Sequence, residues 1–184
     1  MSGKTPVVVC GSPGSGRTIF SYGLYAASPY TSNPLIEVDC YHLNAKQCDK
    51  LFKDERSPLF ENNYTILFKN LNALSPTLQN LFTYYLENLE LTSRHKVICT
   101  FTGDMGDLIA ANQFSQNLSY LISGFTIQLP SINHKPELIV SIARSYLNSL
   151  NQELPIQIAG FEPEALKLLE EHHWQYGISQ FQTV

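Results

Sequence analysis

Short apolar runs alternate with amphipathic stretches along the chain as far as residue 130. Each run is bounded by glycine, proline or polar residues, which is typical of buried strands. Ser75 before Pro76 is a typical helix start. The pattern predicts strands over residues 7–10, 35–39, 64–68, 97–101 and 125–129, and helices over residues 16–27, 76–89, 104–112 and 116–123. Strands alternating with helices indicate an α/β fold with a mainly parallel sheet of five strands.

The pattern changes after Pro130. Two amphipathic helices are predicted over residues 136–150 and 163–173, and no strand pattern follows them. We therefore predict an α/β body over residues 1–134 and a small helical subdomain over residues 135–184.

Composition narrows the class of protein. Hydrophobic residues make up 43% of the 184 residues and charged residues 15%, which argues against a disordered or fibrous chain. Acidic residues number 16 and basic residues 12, a net charge of −4, so direct DNA binding by this segment is not expected. No apolar run approaches the roughly 20 residues of a membrane helix, and no signal peptide is apparent. We expect a cytoplasmic protein.

The cysteines and histidines predict no metal site. Cys10, Cys40, Cys48 and Cys99 form no CxxC pair, and the five histidines lack the spacing of zinc-binding motifs. Three of the cysteines lie in or beside predicted strands. They are expected to be small buried residues in a reducing compartment.

A glycine-rich loop joins the first predicted strand to the first predicted helix. Its backbone N–H groups and the helix N-terminus can surround a phosphate group. The spacing matches the P-loop GxxxxGK[ST], except that arginine replaces lysine. The planar guanidinium of arginine contacts a phosphate differently from the compact ammonium of lysine. The predicted nucleotide-binding residues here are Gly11, Ser12, Pro13, Gly14, Ser15, Gly16, Arg17 and Thr18. The alternative is a glycine-rich turn that binds no ligand.

A P-loop enzyme that hydrolyses ATP also needs acidic residues at the end of a second strand, which hold Mg²⁺ and orient the attacking water. Here Lys69 and Asn70 follow the third predicted strand. An ammonium about 4 Å from Mg²⁺ would be repelled by about 8 kcal/mol at an effective dielectric of about 20. The sequence therefore predicts no metal at this position and no ATP hydrolysis.

Two interpretations of Lys69 remain open. In the first, its ammonium replaces the metal, and together with Arg17 it binds ATP or ADP weakly and without Mg²⁺. In the second, Lys69 points to solvent or pairs with an acidic residue, and the loop stays without a ligand.

The order of these segments resembles the central AAA+ domain of sigma-54-dependent transcription activators. Residues 34–40 are similar to the PFxxxNC strand of that family, and residues 64–71 are similar to its GTLFLDEI segment. Residues 96–102, 114–132 and 160–179 are similar to its RxIxATN, FRxDLxYRL and WPGNVREL regions. The resemblance implies a P-loop AAA+ body followed by a helical lid. It also implies an excised fragment, without the helix before the P-loop and ending inside the last lid helix.

The same resemblance implies that the residues of hydrolysis are missing. The two Walker B acids are replaced by Lys69 and Asn70, and the two sensors by Thr102 and Ser179. The two interface arginines are replaced by Ser115 and Leu121. The GAFTGA loop, which contacts the sigma factor in that family, has no counterpart within residues 53–63.

The resemblance therefore implies a degenerate AAA+ domain of a bacterial transcription regulator. It would act as a nucleotide-binding or oligomerisation module without hydrolysis. Its partners would be further copies, other AAA+ subunits or the transcription machinery, with no membrane contact. Two alternatives stay open: an active ATPase with unusual catalytic residues, and a scaffold unrelated to sigma-54.

Overall fold

The structure is a computed structural model that describes residues 4–135 and 137–181, with the side chains of Ser179 and Phe181 left out. It divides into two compact units. The sheet unit contains Met1–Gly11 and Arg17–Leu129, and the helical unit contains Ser12–Gly16 and Pro130–Val184. The predicted boundary lay between residues 134 and 135, whereas residues 130–134 and the loop tip, residues 12–16, both group with the helical residues.

The sheet unit has five parallel strands. They are β1 (Val7–Gly11), β2 (Leu35–Asp39), β3 (Thr65–Lys69), β4 (Lys96–Thr102) and β5 (Phe125–Leu129), in the order β2-β3-β4-β1-β5. Each predicted strand is present within one residue at either end. The predicted α/β class is confirmed.

Six helices accompany this sheet: α1 (Arg17–Ala26), α2 (Ala45–Lys53), α3 (Pro76–Asn88), α4 (Leu91–Arg94), α5 (Met105–Ala110) and α6 (Gln116–Ile122). The predicted cap of α3 is present, since the Ser75 hydroxyl accepts the Leu78 N–H. Helix α4 was not predicted, and neither was helix α2. It begins at a capping box in which the Asn44 and Gln47 side chains accept each other's backbone N–H, a signal that the sequence does carry.

Successive strand residues face opposite sides of the sheet, so the core has two layers. Val9, Leu67 and Ile98 are buried on the side that packs against Leu24 and Tyr25 of α1. The opposite side carries the larger cluster, with side chains from α2, α3 and α6. All four cysteines are buried and none forms a disulfide, as expected. Burial raises the pKa of the Cys10 thiol to about 11 and that of Cys99 to about 12.

The helical unit contains α7 (Glu137–Glu153), α8 (Pro163–Glu171) and α9 (Gly177–Phe181). Its core consists of Ile132, Ile139, Ala143 and Trp174. Among the described residues after Pro130, none lies in a strand. Across the described ranges, no helix is long and apolar enough to span a bilayer.

Candidate functional site

The glycine-rich loop lies between the end of β1 and the start of α1, as the sequence predicts. Gly14 and Gly16 have φ angles of +74° and +81°. Glycine adopts this left-handed region without the steric cost that other residues bear. The Ser15 N–H donates to the Ser12 carbonyl at 3.1 Å, which closes a tight turn at the loop tip.

Ser15 provides a test of whether the loop fits a phosphate-bearing ligand. Its side chain is 6% exposed, and its hydroxyl oxygen has no hydrogen-bond partner among the described residues. A buried hydroxyl without a partner costs about 1–3 kcal/mol, and a bound ligand or a water is one way to satisfy it. A phosphate oxygen is an acceptor that this hydroxyl could satisfy. The loop tip therefore fits the predicted ligand.

Within the helical unit, the loop tip packs backbone to backbone against the turn before α9. The Gly14 carbonyl accepts the Ile178 N–H at 2.7 Å. A β-carbon on Gly14 would lie 2.0 Å from the Tyr176 carbonyl oxygen, and one on Gly177 would lie 2.4 Å from the Gly14 carbonyl oxygen. Only two glycines allow this approach. The residue pattern does not predict this contact, although the turn lies in the region that resembles the lid.

A small cavity of about 190 Å³ adjoins this contact. The loop tip forms one wall, and residues 131–133 and 174–177 form the others. The Asn133 side chain fixes this wall: its amide donates to the Trp174 carbonyl at 3.0 Å, and its oxygen accepts the Trp174 N–H at 2.8 Å.

Arg17, the first residue of α1, turns back onto the end of β1. Its guanidinium donates to the Gly11 carbonyl oxygen. Burial lowers the pKa of this guanidinium, while the nearby Tyr41 and Cys10 oppose that shift. Thr18 follows in the first turn of α1 and is half-buried. The arginine that replaces the usual lysine thus forms a hydrogen bond with the backbone at the end of β1.

Lys69 ends β3 and forms an ion pair with β2. Its ammonium nitrogen lies 3.2 Å from Glu37 Oε2, and the Tyr22 hydroxyl donates to the same oxygen at 2.8 Å. The hydrogen bond to Glu37 raises the pKa of Lys69 above its usual value. Lys69 is therefore paired with an acidic residue, as the second interpretation expects. The sequence analysis did not name Glu37 or Tyr22 as its partners.

Asn70 links the ends of three neighbouring strands. Its φ of +56° is left-handed, a conformation that asparagine tolerates better than most residues. Its side-chain amide donates to Asp39 Oδ1 at 3.3 Å, and its backbone N–H donates to the Thr100 hydroxyl at 2.9 Å. Thr102 at the end of β4 is held by its N–H, which donates to Asn72 Oδ1 at 2.9 Å.

The side chains that end β3 do not fit a magnesium ion, because they are an ammonium and an amide that already hold Glu37 and Asp39. Across the described part of the chain, no group of three or more histidine, cysteine or acidic side chains is placed to hold a metal ion.

The two positions aligned with interface arginines differ in environment. Ser115 caps α6 by accepting the Leu118 N–H, and its own N–H donates to Gln79 Oε1 at 2.7 Å. Leu121 is half-buried within α6. The side chain of Ser179 lies outside the described part of the structure.

The segment without a GAFTGA counterpart is held by Arg94 and His95. The Arg94 guanidinium donates to the Phe60 carbonyl, to the Glu61 carbonyl at 2.7 Å and to Asn62 Oδ1 at 2.9 Å. His95 Nε2 lies 3.2 Å from the Leu59 carbonyl oxygen. Residues 59–62 are thus fixed by long-range contacts, which the sequence analysis did not foresee.

Comparison with known families gives a match to the sigma-54 interaction domain over residues 1–132. The glycerol metabolism operon regulatory protein of Citrobacter freundii is 26% identical over 191 residues, covering 94% of this chain and 30% of that protein. The transcriptional regulatory protein ZraR of Klebsiella oxytoca is 23% identical over 199 residues, covering 96% of this chain and 45% of that protein. The chain thus spans less than half the length of these relatives.

Solved structures share the fold at low identity. NtrX from Brucella abortus, solved in complex with ATP, superimposes with a TM-score of 0.79 at 18% identity, covering 98% of this chain and 46% of NtrX. The Hsp104–casein complex of S. cerevisiae superimposes with a TM-score of 0.68 at 15% identity, covering 95% of this chain and 38% of that chain.

Proposed function

Because this chain belongs to the sigma-54 interaction domain family, we propose that it is a bacterial transcription regulator's AAA+ domain that binds nucleotide without hydrolysing it. The absence of hydrolysis is inferred from the contacts of the two residues at the end of β3. There, Lys69 is paired with Glu37, and Asn70 is hydrogen-bonded to Asp39. Hydrolysis by a P-loop enzyme needs a carboxylate at this position to hold Mg²⁺.

Nucleotide binding is supported by the loop. Its two left-handed glycines and the buried, unpartnered Ser15 hydroxyl suit a phosphate group. NtrX has been solved with ATP and with ADP. The loop of this chain would supply backbone N–H groups and the Ser15 hydroxyl to a phosphate. The pairing of Lys69 with Glu37 favours the interpretation in which Lys69 does not bind it.

A domain that does not hydrolyse ATP acts through its partners. Hydrogen bonds from Arg94 and His95 hold residues 59–62 in place. This segment therefore does not form a mobile loop that could contact the sigma factor. We expect no sigma-54 contact through residues 53–63. The partners that fit best are further copies, other AAA+ subunits or another part of the transcription machinery.

Calorimetric titration with ATP tests nucleotide binding. We expect weak binding that EDTA does not change and that rising salt reduces. Ser15→Ala should weaken it about tenfold, which is about 1.4 kcal/mol. Thr65 carries a second buried hydroxyl without a described partner, far from the loop in sequence, so Thr65→Val is a matched control that should leave affinity unchanged. Binding that Mg²⁺ strengthens tenfold would contradict the proposal.

Phosphate release tests the absence of hydrolysis. We expect none above background from the purified chain, and none from Lys69→Asp, because the catalytic residues act as a unit. Lys69→Met combined with Glu37→Gln removes both charges of the ion pair at once, and should leave ATP affinity unchanged, because this ammonium is already neutralised by Glu37. Steady ATP turnover that follows the protein through purification would establish the alternative, an active ATPase with unusual residues.

A further inference from the structure

Strand β5 lies at one edge of the sheet and is unusually exposed. It pairs only with β1 among the described strands. Phe125 is 62% exposed, and Thr126 and Gln128 are also exposed. Strands of parallel sheets are usually covered on both faces by helices. This strand therefore exposes an apolar side chain, and its outer edge pairs with no other described strand.

The five residues of β5 lack the charges and the proline that often prevent edge strands from pairing. Native edge strands are usually protected by charged residues, proline, a bulge or a covering element. The five residues of β5 include neither a charge nor a proline, and the whole stretch over residues 108–133 contains no Asp, Glu, Lys or Arg. The opposite edge, β2, carries Glu37 and Asp39. The two edges of one sheet thus differ in their protection.

The sequence of β5 is complementary to itself in the antiparallel direction. Phe125, Ile127 and Leu129 share one face, while Thr126 and Gln128 share the other. When two copies align with Ile127 opposite Ile127, each Phe125 faces a Leu129 and each Thr126 faces a Gln128. Residues directly opposite in an antiparallel pair lie on the same face. Every apolar residue then meets an apolar one, and every polar residue meets a polar one.

We propose that two copies of this chain associate through β5, antiparallel and about a two-fold axis at Ile127, so that two sheets become one. Each copy has a net charge of −4, but β5 contains no charged residue. The two copies would therefore meet without like charges facing each other. A two-fold contact closes on itself and does not propagate into a fibre. Two five-residue strands alone bury less than the roughly 1,000 Å² of a stable interface, so the dimer is weak. The proposal is independent of nucleotide binding.

Sedimentation and light scattering over a dilution series of the full chain test the dimer. The mass should rise from monomer to dimer with concentration. Thr126→Lys with Gln128→Lys places like charges opposite each other, and should leave only monomer. Thr126→Lys with Gln128→Glu places opposite charges there, and should preserve the dimer. Both positions are exposed, so neither variant disturbs the core.

Thr77→Lys with Gln152→Lys changes net charge equally at exposed positions elsewhere, and should dimerise like the unmodified chain. A chain that is monomeric throughout the dilution series overturns the proposal. So does association that the double-lysine variant leaves intact, because another surface would then carry it. Loss of the dimer in the lysine–glutamate variant overturns the antiparallel register.

Discussion

At the scale of single residues, the close approach of Gly14 and Gly177 constrains the backbone of the helical unit. Each occupies a left-handed conformation, with φ of +74° and +57°, and each leaves no room for a β-carbon. The contact joins the glycine-rich loop to the turn before α9 through backbone atoms alone. A residue with a β-carbon therefore does not fit at either position without a shift of the backbone.

We expect Gly14→Ala and Gly177→Ala each to destabilise the helical unit by at least about 2 kcal/mol. Left-handed backbone alone costs a non-glycine residue roughly 1–2 kcal/mol, and the overlap with carbonyl oxygens adds to it. Urea unfolding followed by tryptophan fluorescence measures this, because Trp174 lies in the same unit. Gly160→Ala is the control, since a β-carbon at that position would have nothing within 4 Å. Equal midpoints for all three variants would contradict the expectation.

His95 is a buried neutral histidine whose tautomer follows from its partners. Nε2–H donates to the Leu59 carbonyl at 3.2 Å, and Nδ1 accepts the Tyr64 N–H at 3.4 Å. If Nδ1 were also protonated, its N–H would face the Tyr64 N–H, and the hydrogen bond between them would be lost. Burial lowers the pKa of His95, and the nearby Arg94 and Lys4 lower it further.

We therefore expect stability to fall as pH decreases below about 6.5, the ordinary pKa of histidine. Below that pH, the unfolded chain binds a proton at His95 that the folded chain does not bind. The free energy of unfolding therefore falls by up to about 1.4 kcal/mol per pH unit until the pKa of His95 in the folded chain is reached. Unfolding midpoints between pH 7 and 5 measure this slope. His95→Gln should reduce it, whereas His173→Gln, at an exposed position, should not. An unchanged slope in His95→Gln would contradict the assignment.

At the scale of elements, the sheet and most helices could be predicted because their signals are local. The apolar runs of β1 to β5 and the Ser75–Pro76 start of α3 are readable within a few residues. Helix α2 was missed because its nine residues carry few apolar positions, and only its capping box marks the start. The segment over residues 58–63 carries no periodic signal, so its fixed conformation depends on distant Arg94.

We expect Arg94→Ala to release this segment. The guanidinium satisfies the Phe60 and Glu61 carbonyls and the Asn62 side chain, and losing it should cost about 1–3 kcal/mol. Limited proteolysis and hydrogen exchange should show new opening over residues 58–63. Arg56→Ala is the matched control, because the Arg56 side chain is 93% exposed and lies in the same stretch. Opening in both variants alike would argue against an anchoring role for Arg94.

At the scale of the whole molecule, each unit has its own core. The helical unit contains the only tryptophan, Trp174, which is 2% exposed. The sheet unit contains every described strand. Tryptophan emission therefore reports on the helical unit.

We expect Ile139→Ala to lower the stability reported by Trp174 by about 2–5 kcal/mol, because it opens a cavity in the small core. Tryptophan fluorescence during urea unfolding measures the shift in midpoint. Ile156→Ala removes the same atoms from a side chain that is 69% exposed, and should change little. Equal shifts in the two variants would mean that the Ile139 packing is not what stabilises this unit.

The sequence by itself determined the five strands and most helices in chain order, the glycine-rich loop, and the absence of acidic residues after β3. These features rest on periodicity and on residue identity, which are local. Only the tertiary structure decided that Glu37 holds Lys69, that Asp39 holds Asn70 and that the loop tip packs against Gly177. Each of these contacts joins residues about thirty or more positions apart. Their pairing depends on strand register and on backbone approach, which no local pattern encodes.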